Sequence, residues 1–226
     1  MWPNFQQIQK MRLDNGLVQN ILLNAFPAAL RQDVVKVIQI LALHNHDVLI
    51  IDRQINNVFD LIHPVEQNII LDDESLKIPY RIYFIEPSAI PEKMLTDLQK
   101  SILNCIFLRH HNGFVRQRSL EKLIDKADYF VVPFAFQLLG EYVIEILEVL
   151  QMHINPNIDI YAKFINENPK YWRLTESRMI SYWNEYYRKP IYPNYSLPKY
   201  SARKDYIGQR IVDILQEAIR HSVGRV

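Results

Sequence analysis

Arg116 and a spaced set of acidic side chains downstream of it carry the strongest chemical signal in this sequence. On a helix, Arg116 lies four and seven positions before Leu120 and Leu123, so it shares their apolar face. A guanidinium on such a face must be paired or must reach water at the edge of the core. Gln137, Glu141, Glu145 and Glu148 follow at spacings of four, four and three, which is one stripe of a continuous helix. The expectation is that Arg116, with Arg118 or Arg109 beside it, pairs with Glu141 or Glu145 between neighbouring helices of the 95–153 region. Closed off, such a network is structural. Opened into a concavity on which His110 and His111 converge, it is a site for a ligand or for enzyme chemistry.

Metal chemistry has little support. Adjacent residues on a helix point about 100° apart, so His110 and His111 share one ion only if the helix ends between them. A helix C-terminus favours a protonated imidazole, which makes the pair a capping feature. The acidic stripe lacks the Glu-x-x-His pairs of helical di-metal sites, and His153, five residues after Glu148, does not supply one. His44-Asn45-His46 reads as a turn. Cys105 falls on the buried stripe of its helix and reads as a small core residue. There is no Gly-rich phosphate loop and no Gly-x-Ser-x-Gly elbow. No cofactor and no metal are expected.

A different chemistry gathers near the C-terminus. Seven of the 13 tyrosines lie between positions 182 and 206: Tyr182, Tyr186, Tyr187, Tyr192, Tyr195, Tyr200 and Tyr206. Arg188, Lys189, Lys199, Arg203 and Lys204 are interleaved with them. Residues 186–226 hold eight Lys/Arg against three Asp/Glu, although the whole chain is only +1. Cations neutralise phosphates and aromatic faces stack on bases, so single-stranded nucleic acid is one ligand class. Tyrosines and prolines also pack an extended arm flat over a helical core, and aromatic residues anchor protein partners. Tyr187, Arg188 and Tyr192 are the binding candidates of this stretch.

The elements that must position these groups are mainly helical. Glycine is scarce, at 5 in 226 residues, whereas β-rich chains with many tight turns need more. Apolar periodicity predicts helices over 17–26, from Pro27 to about 41, and over 49–62, where a strand at 48–51 is the alternative. Two β-prone runs, 68–71 and 77–84, flank the polar turn 72–75 and predict an inserted β-hairpin, with Pro79 marking an edge strand. Helices are then expected over 92–111, 114–124, about 128–153 with a kink at Pro133, 158–166, 175–188 and 203–222. The three prolines between 189 and 201 predict extended chain. The fold class is therefore all-α with a hairpin near 68–84. The expected division is a helical domain over 1–188, with an arm and C-terminal helix over 189–226 packing on it.

Residues 95–111, the turn Asn112-Gly113, and the helix opening Phe114-Val115-Arg116 resemble a HEAT-type helical hairpin, in which the second helix opens with Val-Arg. The turn at Asn155-Pro156-Asn157 falls 43 residues after Asn112, within the period of such repeats. Once the hairpin is set aside, Asn45 falls at about the same spacing. The resemblance implies a short stack of antiparallel helical hairpins. A generic helical bundle accounts for the same pattern.

One cysteine permits no internal disulfide and points to a reducing compartment. Positions 1–10 carry no apolar core of a secretory signal. The apolar run 130–150 is interrupted by Gln137, Glu141, Glu145 and Glu148 and is a poor membrane span. The expected location is cytoplasmic, with no membrane partner. Three functions stand at this point. The first is a non-enzymatic protein-binding module on a helical surface, of which a toxin-neutralising immunity-type protein is one form. The second is nucleic-acid binding through the basic tyrosine-rich arm. The third is an enzyme with an Arg/Glu/His site.

Overall fold

The computed structural model describes residues 15–43, 61–188 and 199–223. The chain divides into two compact units, residues 1–116 and 117–226. The architecture is mainly helical with one small antiparallel hairpin. Among the described residues, no helix is long and apolar enough to cross a membrane. The expected helix at 49–62 lies almost entirely outside the described residues, as do His44, Asn45 and His46.

In the first unit, α1 (Asn15–Leu23) buries Val18 and Leu22, and α2 (Arg31–Gln39) buries Val34, Val37 and Ile38. These are helical spacings, and the two helices pack together. The hairpin pairs β1 (Glu66–Leu71) with β2 (Glu74–Pro79), placing Glu66 opposite Pro79 and Leu71 opposite Glu74. Ile69, Leu71, Leu76 and Ile78 face inward, while Asn68, Ile70 and Lys77 face out. The turn is the pair Asp72-Asp73, with φ of 49° and 65°. Positive φ at both central residues gives the twist that a two-residue hairpin needs, and Asp tolerates it better than most residues. The hairpin docks on the exit of α1: the Lys77 amide donates to the Asn24 carbonyl at 2.9 Å, and Glu74 Oε1 accepts from the Ala28 amide at 2.8 Å.

The second strand ends at Pro79, not at Phe84. Beyond it the backbone stays bonded to 61–65, with the Tyr80 amide donating to the Val65 carbonyl, the His63 amide to the Arg81 carbonyl and the Tyr83 amide to the Leu61 carbonyl, each at 2.9 Å, and Ile82 bridges to Ile62 on one side and His110 on the other. Proline has no N–H to give to the ladder, so regular strand geometry ends at Pro79 while the pairing continues irregularly beyond it. The expected helix over 92–111 is likewise broken. A short α3 (Ala89–Lys93) is followed by α4 (Asp97–Phe107). Thr96 starts α4 with a capping box: its Oγ1 accepts from the Gln99 amide, and Gln99 Oε1 accepts from the Thr96 amide. Gln99 Nε2 also donates to Asp33 Oδ1 at 2.8 Å, tying α4 to α2. Cys105 is fully buried in α4, as a core residue would be. The division between the units falls within α5 (Gly113–Glu121).

In the second unit the long helix expected from Asp128 does not form. A 3-10 turn (Tyr129–Val131), the five-residue α6 (Val132–Phe136) and another 3-10 turn (Gln137–Gly140) come first. Glu141 then turns extended, at φ −103° and ψ 162°, and helix resumes at α7 (Ile144–Ile154). After a 3-10 turn at Asn155–Asn157 come α8 (Ile158–Glu167) and α9 (Pro169–Tyr186). A last 3-10 turn, Arg203–Asp205, leads into α10 (Ile207–Val223). Phe136 lies at the centre, with ring centroids of Phe164, Tyr171 and Trp172 within 5.4–5.9 Å. Helix α10 buries Ile207, Ile211, Val212 and Leu215 and packs on α7, α8 and α9. Each buried side chain contributes about 1.5–3 kcal/mol, against propensity differences of at most about 0.7 kcal/mol per ordinary residue. Packing therefore holds this helix. Helix α9 opens with Pro169, where the missing N–H costs nothing. It runs beside Gln137–Gly140 with Tyr171, Thr175 and Met179 buried at intervals of four.

Candidate functional site

Arg116 is 5% exposed, and its NH1 donates to the backbone carbonyls of His110 and His111 at 2.7 and 2.8 Å. Helix α4 has ended just upstream, so these carbonyls lie in the turn that leaves it. A cation there satisfies acceptors that the helix cannot. His110 is buried, and its Nδ1 accepts from the Asn112 amide at 3.2 Å, which puts the proton of the neutral ring on Nε2. His111 stacks on Tyr83 at 5.6 Å and sits 4.6 Å from the His110 ring. The Arg109 carbonyl accepts from the Ile82 amide at 2.9 Å. This cluster knits the end of α4 to the segment after the hairpin. Its geometry is that of a structural clasp.

The acidic stripe fails as a stripe. Glu141 is buried in extended chain, whereas Glu145 and Glu148 are exposed on α7. The break between them turns the row off a single face. Arg118 is exposed. Among the described residues, no group of three or more His, Cys, Asp or Glu is placed to hold a metal ion. His153 is fully buried in the second unit, with Nδ1 2.8 Å from the Tyr161 hydroxyl and Nε2 3.0 Å from the Lys126 carbonyl. A carbonyl only accepts, so Nε2 carries the proton and Nδ1 accepts from tyrosine. Burial holds this imidazole below its ordinary pKa, and the Lys126 carbonyl opposes that effect.

The tyrosines do come together. Tyr182 and Tyr186 stand four apart on α9, hence on one face. Tyr142, in the extended break before α7, lies across from them. It stacks on Tyr186 with centroids 4.7 Å apart and planes at 25°, and meets Tyr182 edge-on at 5.6 Å. Tyr142 is 43% exposed and Tyr186 48% exposed. The Tyr187 hydroxyl donates to the Tyr142 carbonyl, locking the break against the end of α9. The Tyr187 ring in turn lies 5.2 Å from Tyr206 and 6.0 Å from Tyr200. Trp183 Nε1 donates to the Tyr200 carbonyl at 2.9 Å. Tyr206 is fully buried, and its hydroxyl has no hydrogen-bond partner among the described residues. Burial drives its pKa far up, with Tyr187 adding to the effect. Tyr187 is raised too, first by burial and then by the nearby Glu145.

Next to Tyr200 the surface opens into a concavity of about 230 Å³ lined by Lys199, Tyr200, Lys204, Asp205 and Arg210. Lys199 Nζ lies 5.1 Å from the Tyr200 ring centroid, a cation–π contact. The sequence named Tyr187, Tyr200, Tyr206, Lys199 and Lys204. It missed Tyr142 and Arg210, which join the group only through the fold. The one local signal for Tyr142 was Gly140, where a helix is liable to break. Arg188, just past the end of α9, is exposed and donates to Asn184 Oδ1 on that helix at 2.8 Å. Tyr192 lies outside the described residues. Comparison with protein-family models, with curated proteins and with solved structures gave no match to this chain.

Proposed function

We propose that the chain is a protein-binding module that meets its partner through the tyrosine face of the second unit. The observation that carries this reading is the exposed Tyr142–Tyr186 stack, fixed from behind by Tyr182 and Tyr187. Tyrosine brings large contact area with only two side-chain torsions to freeze, and here those torsions are already restrained. Preorganised aromatic anchors of this kind supply most of the energy of a protein interface. The HEAT-like reading of residues 95–124 belongs to the same proposal as a scaffold argument.

The test is capture from native lysate with the full chain as bait, against a variant carrying Y142A and Y186A. The expected result is a near-stoichiometric partner held by the wild type and lost from the variant, both showing the same circular dichroism and melting temperature. Truncating one anchor costs about 2 kcal/mol or more, roughly 30-fold in affinity. A partner held equally by both, or no stoichiometric partner, refutes the proposal. A second reading, single-stranded nucleic acid, draws support from the three cations beside Tyr200. Its mark is affinity that falls steeply with salt.

A further inference from the structure

Resting on the protein-binding reading, we infer that the partner segment carries a carboxylate side chain that seats in the concavity of Lys199, Lys204 and Arg210. The concavity and the tyrosine stack are joined by touching groups. Tyr186 stacks on Tyr142, the Tyr142 carbonyl accepts from Tyr187, the Tyr187 ring meets Tyr200, and Tyr200 lines the concavity. One extended segment lying along this line touches the aromatic pair at one end and the cations at the other.

Charge selects the occupant. Three cations face one carboxylate, Asp205, in the lining. Among the described residues, none of the three cations makes an ion pair. Arg210 spends one weak hydrogen bond, 3.4 Å long, on the Asp205 carbonyl. An anionic group is therefore the complementary ligand. The other end of the line has the opposite sign. Glu145 is near enough to Tyr187 to disfavour its ionisation, and Glu185 is exposed next to Tyr186. A nucleic-acid strand stacked on Tyr142 and Tyr186 would bring a phosphate with every nucleotide towards these carboxylates. A peptide can place its negative charge at the cationic end alone. The stacked tyrosines also cover one face of each other, which leaves less ring surface for bases.

The test uses ¹⁵N-labelled full chain titrated with an acetylated tetraglutamate amide, and separately with a ten-nucleotide oligothymidylate. The peptide is expected to shift the amides of residues 199–210, saturating at about 1–10 mM, as an exposed carboxylate contact should. The double variant K204E/R210E weakens this at least tenfold. Both side chains are exposed, so the fold is unaffected. The Y142A/Y186A variant keeps the peptide shifts, so failure of the cationic site and failure of the tyrosine face are read separately. The partner captured by the wild type is expected to be lost from K204E/R210E. Absence of peptide shifts at 199–210 overturns the inference. So does oligothymidylate binding that moves both these amides and those of Tyr142 and Tyr186, which would make the ligand a nucleic acid.

Discussion

Gly208, the second residue of α10, has almost no space for a side chain. A Cβ there would stand 2.6 Å from Tyr206 Cε1 and 2.8 Å from Met179 Cγ. Alanine in a helix is favoured over glycine by roughly 0.5–1 kcal/mol, so propensity alone predicts that Gly208→Ala stabilises. Overpacking opposes it. Met179 can move its flexible end, but Tyr206 is fully buried and wedged against Tyr187 and Tyr200. Forcing one methyl into such a site costs about 1–3 kcal/mol. The expected net effect is a loss of about 1–2 kcal/mol, which for a urea slope near 1–3 kcal/mol/M lowers the midpoint by roughly 0.3–2 M. The assay is urea unfolding followed by near-ultraviolet circular dichroism, which reports the packed tyrosines. Gly140→Ala is the control. Its Cβ meets Arg178 Cδ at 3.0 Å, on a flexible side chain rather than backbone, so its stability is expected within about 0.5 kcal/mol of wild type. A Gly208→Ala protein as stable as wild type would show that Tyr206 is not held as described, and the backing of the tyrosine face would fall with it.

Three further outcomes follow from the same structure. The His153 pKa is held below its ordinary 6.5 by burial, so between its folded value and 6.5 the unfolded chain binds a proton that the folded chain excludes. Stability is full above about pH 6.5 and falls as pH drops below it, and His153→Gln is expected to flatten this dependence in urea midpoints taken from pH 7.5 to 5. Arg116→Met keeps the buried stem but strips two carbonyls of their donor, at a cost of about 2–4 kcal/mol. A melting temperature that barely moves would contradict the clasp. Thr96→Ala removes one half of the capping box and is expected to cost about 1 kcal/mol, seen as faster amide exchange in the first turn of α4.

Much of the architecture was legible locally. Ile207, Ile211 and Leu215 stand at helical spacing, and the core they enter needs only an apolar face. The hairpin announced itself through β-branched runs, although its turn shrank to Asp72-Asp73 because two adjacent aspartates accept positive φ. The Thr96 capping box, with Gln99 three residues on, is also a local feature of the sequence, and it marks the break between α3 and α4.

The sequence by itself determined that the protein is helical with an inserted hairpin, that Arg116 needs partners inside an apolar face, and that aromatic and cationic groups gather near the C-terminus. Each of these follows from side-chain chemistry and spacing over a few turns. Only the tertiary structure decided that the guanidinium serves two backbone carbonyls, and that the acidic stripe breaks at Glu141. It also decided that Tyr142 stacks on a ring 44 positions away. Which groups meet across such separations depends on where helices stop and how they pack. At Gly140 the Arg178 side chain of another helix lies close, a neighbour that the local sequence does not name.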